Sequence, residues 1–168
     1  MGTSLDLLKR LSDEKVTFVI VGGMAGVVHG SAIVTEDLDL CIPFEPENLS
    51  RILSALRDLH PCWRMRPDQP SLTNDASKLV NFKNLYLATD WGQVDFLSEI
   101  TGVGSYAEVA QHAITIDLAG CSCLVLDLQA LIRSKTALGR PKDLRAAEEL
   151  KALKNRINRT GPNDTSES

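Results

Sequence analysis

The chain has 168 residues, 43% hydrophobic and 24% charged, and its 22 acidic against 18 basic side chains give a formal net charge of −4. That composition excludes a largely disordered chain, and no apolar run reaches the roughly 18 residues that cross a bilayer. A net acidic balance argues against a general nucleic-acid binder, and the length suits one domain, expected over residues 1–157 with a disordered polar tail over 158–168.

Residues 4–12 set Leu5, Leu8 and Leu11 on one side of a short helix. Residues 16–21 are a continuous β-branched and aromatic run, which predicts a strand buried on both faces. Lys9 and Arg10 before this run mimic a signal peptide. Asp13, Glu14 and Lys15 intervene and two glycines break the run, so a cytoplasmic location is expected. Gly22 and Gly23 end the strand, a short helix is expected over 24–29, and Gly30 and Ser31 interrupt it. A second strand spans 38–42 and stops at Pro43, and a helix follows over 46–59 with Leu49, Ile52, Leu53, Leu56 and Leu59 on one stripe.

Residues 61–78 hold Pro61, Pro67 and Pro70 and read as loop, with a short strand near 63–66. The runs 82–88 and 93–97 flank Asp90-Trp91-Gly92 as a hairpin. A helix over 106–111, strands over 114–118 and 121–126, and two helices over 127–138 and 142–157 complete the pattern, with Gly139-Arg140-Pro141 between the helices. The expected fold class is α+β: a mixed sheet, helices packed mainly on one face, and two C-terminal helices.

Several residues that could carry chemistry read as structural. Cys41, Cys62, Cys121 and Cys123 form no CxxC pair and have no histidine at zinc spacing, so they read as small apolar side chains in a reducing compartment. His29, His60 and His112 are isolated, and Trp63 and Trp91 read as packing residues. Charge is uneven: residues 133–159 carry nine cations against three acids, a local +6, while the rest of the chain stands at −10. A basic end facing an acidic body suits an anion held beside carboxylate-bound metal; a solvated helix face explains it equally well.

The informative segment is 19–40, VIVGGMAGVVHGSAIVTEDLDL. A strand enters a Gly-Gly turn, a short helix starts, and the next strand carries Asp37-Leu38-Asp39. Residues two apart in a strand point the same way, with Cα atoms about 6.5–7 Å apart, so both carboxylates can share a cation such as Mg²⁺ that prefers oxygen ligands. The glycines permit close backbone approach, and the N–H groups of a helix start bind phosphate. Metal beside phosphate is the equipment of phosphoryl or nucleotidyl transfer. A dinucleotide-binding unit is the strongest rival, because VIVGGMAG nearly copies its glycine turn. Its G-x-G-x-x-G pattern fails at Met24 and Val27.

Two small residues, a 13-residue spacer from Met24 to Glu36 and then Asp-Leu-Asp resemble the signature of the DNA polymerase β-like nucleotidyltransferase superfamily. Asp95 in WGQVDFL fits the third carboxylate of that pattern. LIRSKTALGRPKDLRAAEEL resembles the closing helices of its minimal and abortive-infection-type members, which include toxins of toxin–antitoxin systems. The resemblance implies the nucleotidyltransferase fold and a Mg²⁺-dependent enzyme, with two ions, that moves a nucleoside monophosphate from an NTP to an acceptor hydroxyl and releases pyrophosphate. It implies that Asp37, Asp39 and Asp95 hold metal, with Asp95 also helping to deprotonate the acceptor. It further implies that Gly22, Gly23, Thr35, Lys135, Arg140 and Lys142 meet the nucleotide, with Asp143 anchoring the basic loop. The acceptor stays open among an RNA end, a protein hydroxyl and a small molecule, and a partner protein and no membrane are the other expectations. Ile33, Gly23 and Ala146 stand where relatives often carry Arg, Ser and Asp, which keeps a catalytically weak or partner-binding relative as the alternative.

Overall fold

Three residues of the first apolar run become the axis of the fold. In the computed structural model, which describes residues 2–161, Val19–Val21 forms strand β1, with every residue buried. Strand β2 (Leu38–Cys41) pairs with it antiparallel on one side, and β9 (Cys121–Leu126) runs parallel on the other. Beyond β2 lie β5 (Gly92–Leu97), parallel to it, then antiparallel β4 (Asn84–Thr89) and β3 (Cys62–Trp63). Beyond β9 lies antiparallel β8 (Ala113–Leu118). The mixed seven-stranded sheet therefore reads β3-β4-β5-β2-β1-β9-β8, and β6 (Glu99–Ile100) and β7 (Gly104–Ser105) form a separate ribbon.

Six α-helices accompany the sheet among the described residues, so the fold is α+β. Helix α1 (Ser4–Asp13) starts at a capping box between Thr3 and Asp6 and buries Leu7, Leu8 and Leu11. Helix α3 (Pro46–Leu56) opens on a proline, whose missing N–H costs nothing there, and passes into a 3₁₀ turn at Arg57–Leu59. Helix α4 (Tyr106–Gln111) uses a Ser105–Glu108 capping box. Helix α5 (Leu128–Leu138) is capped by Asp127, whose carboxylate accepts from the Ala130 N–H, and ends on Gly139 in the left-handed region. Helix α6 (Pro141–Arg159) then turns back along α5.

The differences from the sequence reading have local causes. The first strand was expected from residue 16 but starts at Val19, because Asn48 of α3 takes the Thr17 backbone: its Oδ1 accepts from Thr17 N at 2.8 Å and its Nδ2 donates to Thr17 O at 3.1 Å. Helix α2 (Gly22–Val28) begins at Gly22, two residues early, since the left-handed φ of Gly22 turns the chain at once. The β6–β7 ribbon was not anticipated, because two-residue strands carry no periodicity. Helix α6 continues to Arg159 instead of ending at 157, and residues 162–168 of the expected tail lie outside the described residues. The antiparallel pairing of β1 with β2 overturns the dinucleotide-binding alternative, which needs a parallel strand after its helix. All four cysteines are free, and among the described residues no helix is long and apolar enough to cross a membrane.

Candidate active site

Strand register assembles the site. Val21 stands opposite Asp39, Asp39 opposite Asp95, and Asp95 opposite Tyr86, across β1, β2, β5 and β4 in turn. On β2 and β5 the alternation sends Leu38, Leu40, Val94 and Phe96 into the core, all 0% exposed, and leaves Asp39 and Asp95 half-buried on the other face. Asp37 precedes Asp39 by two residues and is exposed. The three aspartates line one polar cavity of about 440 Å³, with Asn84 and Tyr86 on its sheet side and Lys135, Arg140 and Lys142 on its helix side. The expected juxtaposition of Asp95 with Asp37 and Asp39 is thus present. A larger groove, about 870 Å³, lies between α5 and α6 and contains none of the three aspartates.

Crowded, partly desolvated carboxylates resist ionisation. Burial first, then the Asp95 charge, push the Asp39 carboxyl up to about 6; Asp37 adds to the rise, while Lys135 and Arg64 oppose it. Burial also raises Asp95, against the pull of Arg64. That arginine was missed by the sequence reading. Its Nη2 donates to Asp95 Oδ1 at 2.7 Å and its Nη1 to Gln93 Oε1. It lies just after β3, in the stretch where a short strand was expected, but nothing in the sequence places β3 beside β4.

The helix side is organised by one buried acid. Asp143 accepts from Arg140 Nε at 2.5 Å, and Lys135 Nζ stands 3.9 Å from its Oδ1. The Arg140 hydrogen bond holds the Asp143 carboxyl below its ordinary range despite burial. Asp143 therefore anchors Lys135 and Arg140 at the cavity mouth. Lys142 lines the same cavity and is exposed.

The glycine turn serves the carboxylates directly. Gly22 has φ +63°, and a Cβ there would collide with Asp39 Oδ2. A Cβ on Gly23 would come within 3.0 Å of Thr35, whose hydroxyl donates to the Asp37 carbonyl at 3.4 Å. Gly22 thus faces the cavity, whereas Gly23 and Thr35 pack behind it. His29 donates to the Leu126 carbonyl at 2.8 Å, and Trp91 packs beneath Gly2 and Arg10, so both act structurally here.

The donor set suits a hard divalent cation. It offers aspartate oxygens on adjacent strands, with no thiolate or imidazole in the cavity, and Asp39 is short of counter-charge. Among the described residues, however, no three such side chains converge closely enough to hold one ion together. Asp37 and Asp39 are the two that would be left to hold it, since Asp95 already has Arg64 as partner.

No protein-family model matches the chain, and no curated protein matches it in sequence. Solved structures match in fold. An antigenic nucleotidyltransferase-like protein of Paracoccidioides brasiliensis is similar at a TM-score of 0.54 and 13% identity, over 93% of this chain and 86% of that one. The antibiotic-resistance factor ANT(2'')-Ia is similar at 0.52 and 14% identity, over 93% and 91%. At such identities the likeness establishes the architecture: this chain has the nucleotidyltransferase fold.

Proposed function

We propose that the chain is a nucleotidyltransferase that moves a nucleoside monophosphate from an NTP to an acceptor hydroxyl and releases pyrophosphate. One observation carries the reading: the Asp39–Asp95 pair, with Asp37, lies in a polar cavity opposite Lys135, Arg140 and Lys142. In the reaction an acceptor oxygen attacks the α-phosphorus, the bond to the pyrophosphate oxygen breaks, and the acceptor proton passes to a carboxylate. Asp37 and Asp39 would hold Mg²⁺, which would supply charge neutralisation and Lewis acidity at the phosphates. Asp95 keeps one carboxylate oxygen on Arg64 and leaves the other to take the acceptor proton. Lys135, Arg140 and Lys142 offset the negative charge of the leaving pyrophosphate. Gly22 leaves room for Asp39, and Gly23 with Thr35 supports the turn over which the nucleotide lies.

The acceptor is an RNA end, a protein hydroxyl or a small molecule, and the basic α5–α6 end favours RNA. A cytoplasmic location is supported by Asp13, Glu14, Lys15 and the glycine break that spoil the signal-like run, and a role within a toxin–antitoxin pair by the resemblance of the closing helices. The Arg64–Asp95 pair favours one second reading, a nucleotide-binding relative with weak or no transfer. Incubation with α-labelled and γ-labelled NTPs, Mg²⁺ and fractionated acceptors separates the two. Transfer of the α-label alone, with equal pyrophosphate release, supports the enzyme. Transfer of the γ-label contradicts it, and metal-dependent binding without any transfer selects the second reading.

A further inference from the structure

Beside the aspartates of the cavity stands a cation that their motif does not anticipate. Arg64 leaves the sheet just after β3, where its backbone N–H donates to the Tyr86 carbonyl at 3.0 Å. Its side chain runs back across β4, with the guanidinium carbon 5.9 Å from the centre of the Tyr86 ring. Arg64 thereby extends the row of opposed residues from Asp39 through Asp95 and Tyr86 to the sheet edge. The pair it makes with Asp95 is shielded, with side chains 19% and 14% exposed, and Arg64 Nε is buried without a hydrogen-bond partner. A guanidinium in this state depends on its carboxylate, because losing that partner leaves a charge stranded away from water.

Asp37 and Asp39 are served differently. Neither has an ion pair within 4.0 Å among the described residues, and the ammonium of Lys135 is shared with Asp143. The cavity also holds Glu99, which the cations Lys135, Arg140 and Lys142 outnumber, so with Arg64 set against Asp95 the charges left to balance one divalent ion are Asp37 and Asp39. A second divalent ion would leave the cavity strongly positive until a polyphosphate arrived. Resting on the nucleotidyl-transfer reading, we propose that the nucleotide-free site takes a single divalent cation, on Asp37 and Asp39, and that Arg64 stands in for a second by holding Asp95. The Asp95 oxygen not bonded to Arg64 stays open toward the acceptor, and any second ion enters with the phosphates of the nucleotide.

The test is a Mn²⁺ titration of the nucleotide-free protein at pH 7.5, with free Mn²⁺ followed by electron paramagnetic resonance and folding checked by thermal melts. Wild type binds one ion, and Asp37→Asn removes it. Arg64→Ala gains a second ion, Arg64→Lys keeps one, and Arg64→Ala combined with Asp95→Asn returns to one. Asp95→Asn alone retains its ion with affinity weakened by no more than about a hundredfold, as for a group outside the ligand set. Two ions in wild type, or loss of the ion in Asp95→Asn, overturn the inference and leave the transfer reading standing. No Mn²⁺ binding in wild type overturns the metal reading beneath it and the inference with it. If Arg64→Ala fails to fold, wild type, Arg64→Lys and Asp95→Asn still decide the outcome.

Discussion

The two charged walls of the cavity are built on opposite terms. On the sheet wall, like charges are forced together by register, and Asp39 responds by holding its proton up to about 6. On the helix wall, Lys135 and Arg140 gather on Asp143, whose carboxyl is pulled below its usual range. One wall is short of positive charge, with Arg64 alone for three aspartates; the other has two of its three cations positioned on an acid before any ligand arrives. The local +6 of residues 133–159 is therefore a poor guide to the charge available at the site, because Asp143 positions Lys135 and Arg140 and neutralises part of them.

The sharpest way to break this contrast is to neutralise the unbalanced wall. Asp39→Asn is expected to lower metal-dependent transfer by at least about a hundredfold. Its stability at pH 7.5 should hold or rise by on the order of 1 kcal/mol in denaturant melts, since an amide is spared the crowding that shifts Asp39. Gly22→Ala attacks the same wall through the backbone. The methyl would meet Asp39 Oδ2 at a left-handed φ, so a loss of about 2 kcal/mol or more is expected, together with activity. Gly120→Ala is the control: its φ is also positive, yet nothing lies within 4 Å of the added carbon, so only the conformational cost of about 1–2 kcal/mol should appear.

On the helix wall, Asp143→Ala should cost about 1–3 kcal/mol of stability, because Arg140 loses its acceptor and Lys135 its counter-ion. Lys135→Ala should instead weaken nucleotide binding several-fold to about tenfold with little loss of stability. Calorimetry and urea melts on both variants distinguish positioning from direct contact.

The smallest effect is the pH dependence of stability. The folded Asp39 binds its proton more tightly than the unfolded chain does. Its stabilising contribution is complete below about pH 3.8 and fades as pH rises through about 6. The stability of wild type relative to Asp39→Asn should therefore decline over that window, and Mg²⁺ should restore it at pH 7. Asp143 has the opposite sign: its contribution is present above about pH 3.8 and is lost as pH falls. A flat difference curve for Asp39 would remove the crowding from the account.

The sheet wall was legible in the sequence because it is written in short-range pattern. An apolar run, paired glycines and an alternating Asp-Leu-Asp mark β1, the turn and β2 within a few residues, and Asp95 lies in a hairpin strand of equally clear alternation. What stayed hidden depends on which strands become neighbours. Arg64 follows a two-residue strand in a proline-rich stretch, and its reach to Asp95 exists only because β3, β4 and β5 stand in that order. The glycines were read as a phosphate approach. Their contacts with Asp39 and Thr35 arise from the Val21–Asp39 register, which no local signal specifies.

The most direct test of the central claim is titration calorimetry of the purified protein with ATP, GTP, CTP and UTP, each with and without Mg²⁺, in wild type and Asp37→Asn. The account predicts that at least one nucleotide binds with Mg²⁺ and that Asp37→Asn abolishes this binding. Nucleotide binding that ignores both Mg²⁺ and Asp37, or no binding to any of the four, would contradict it.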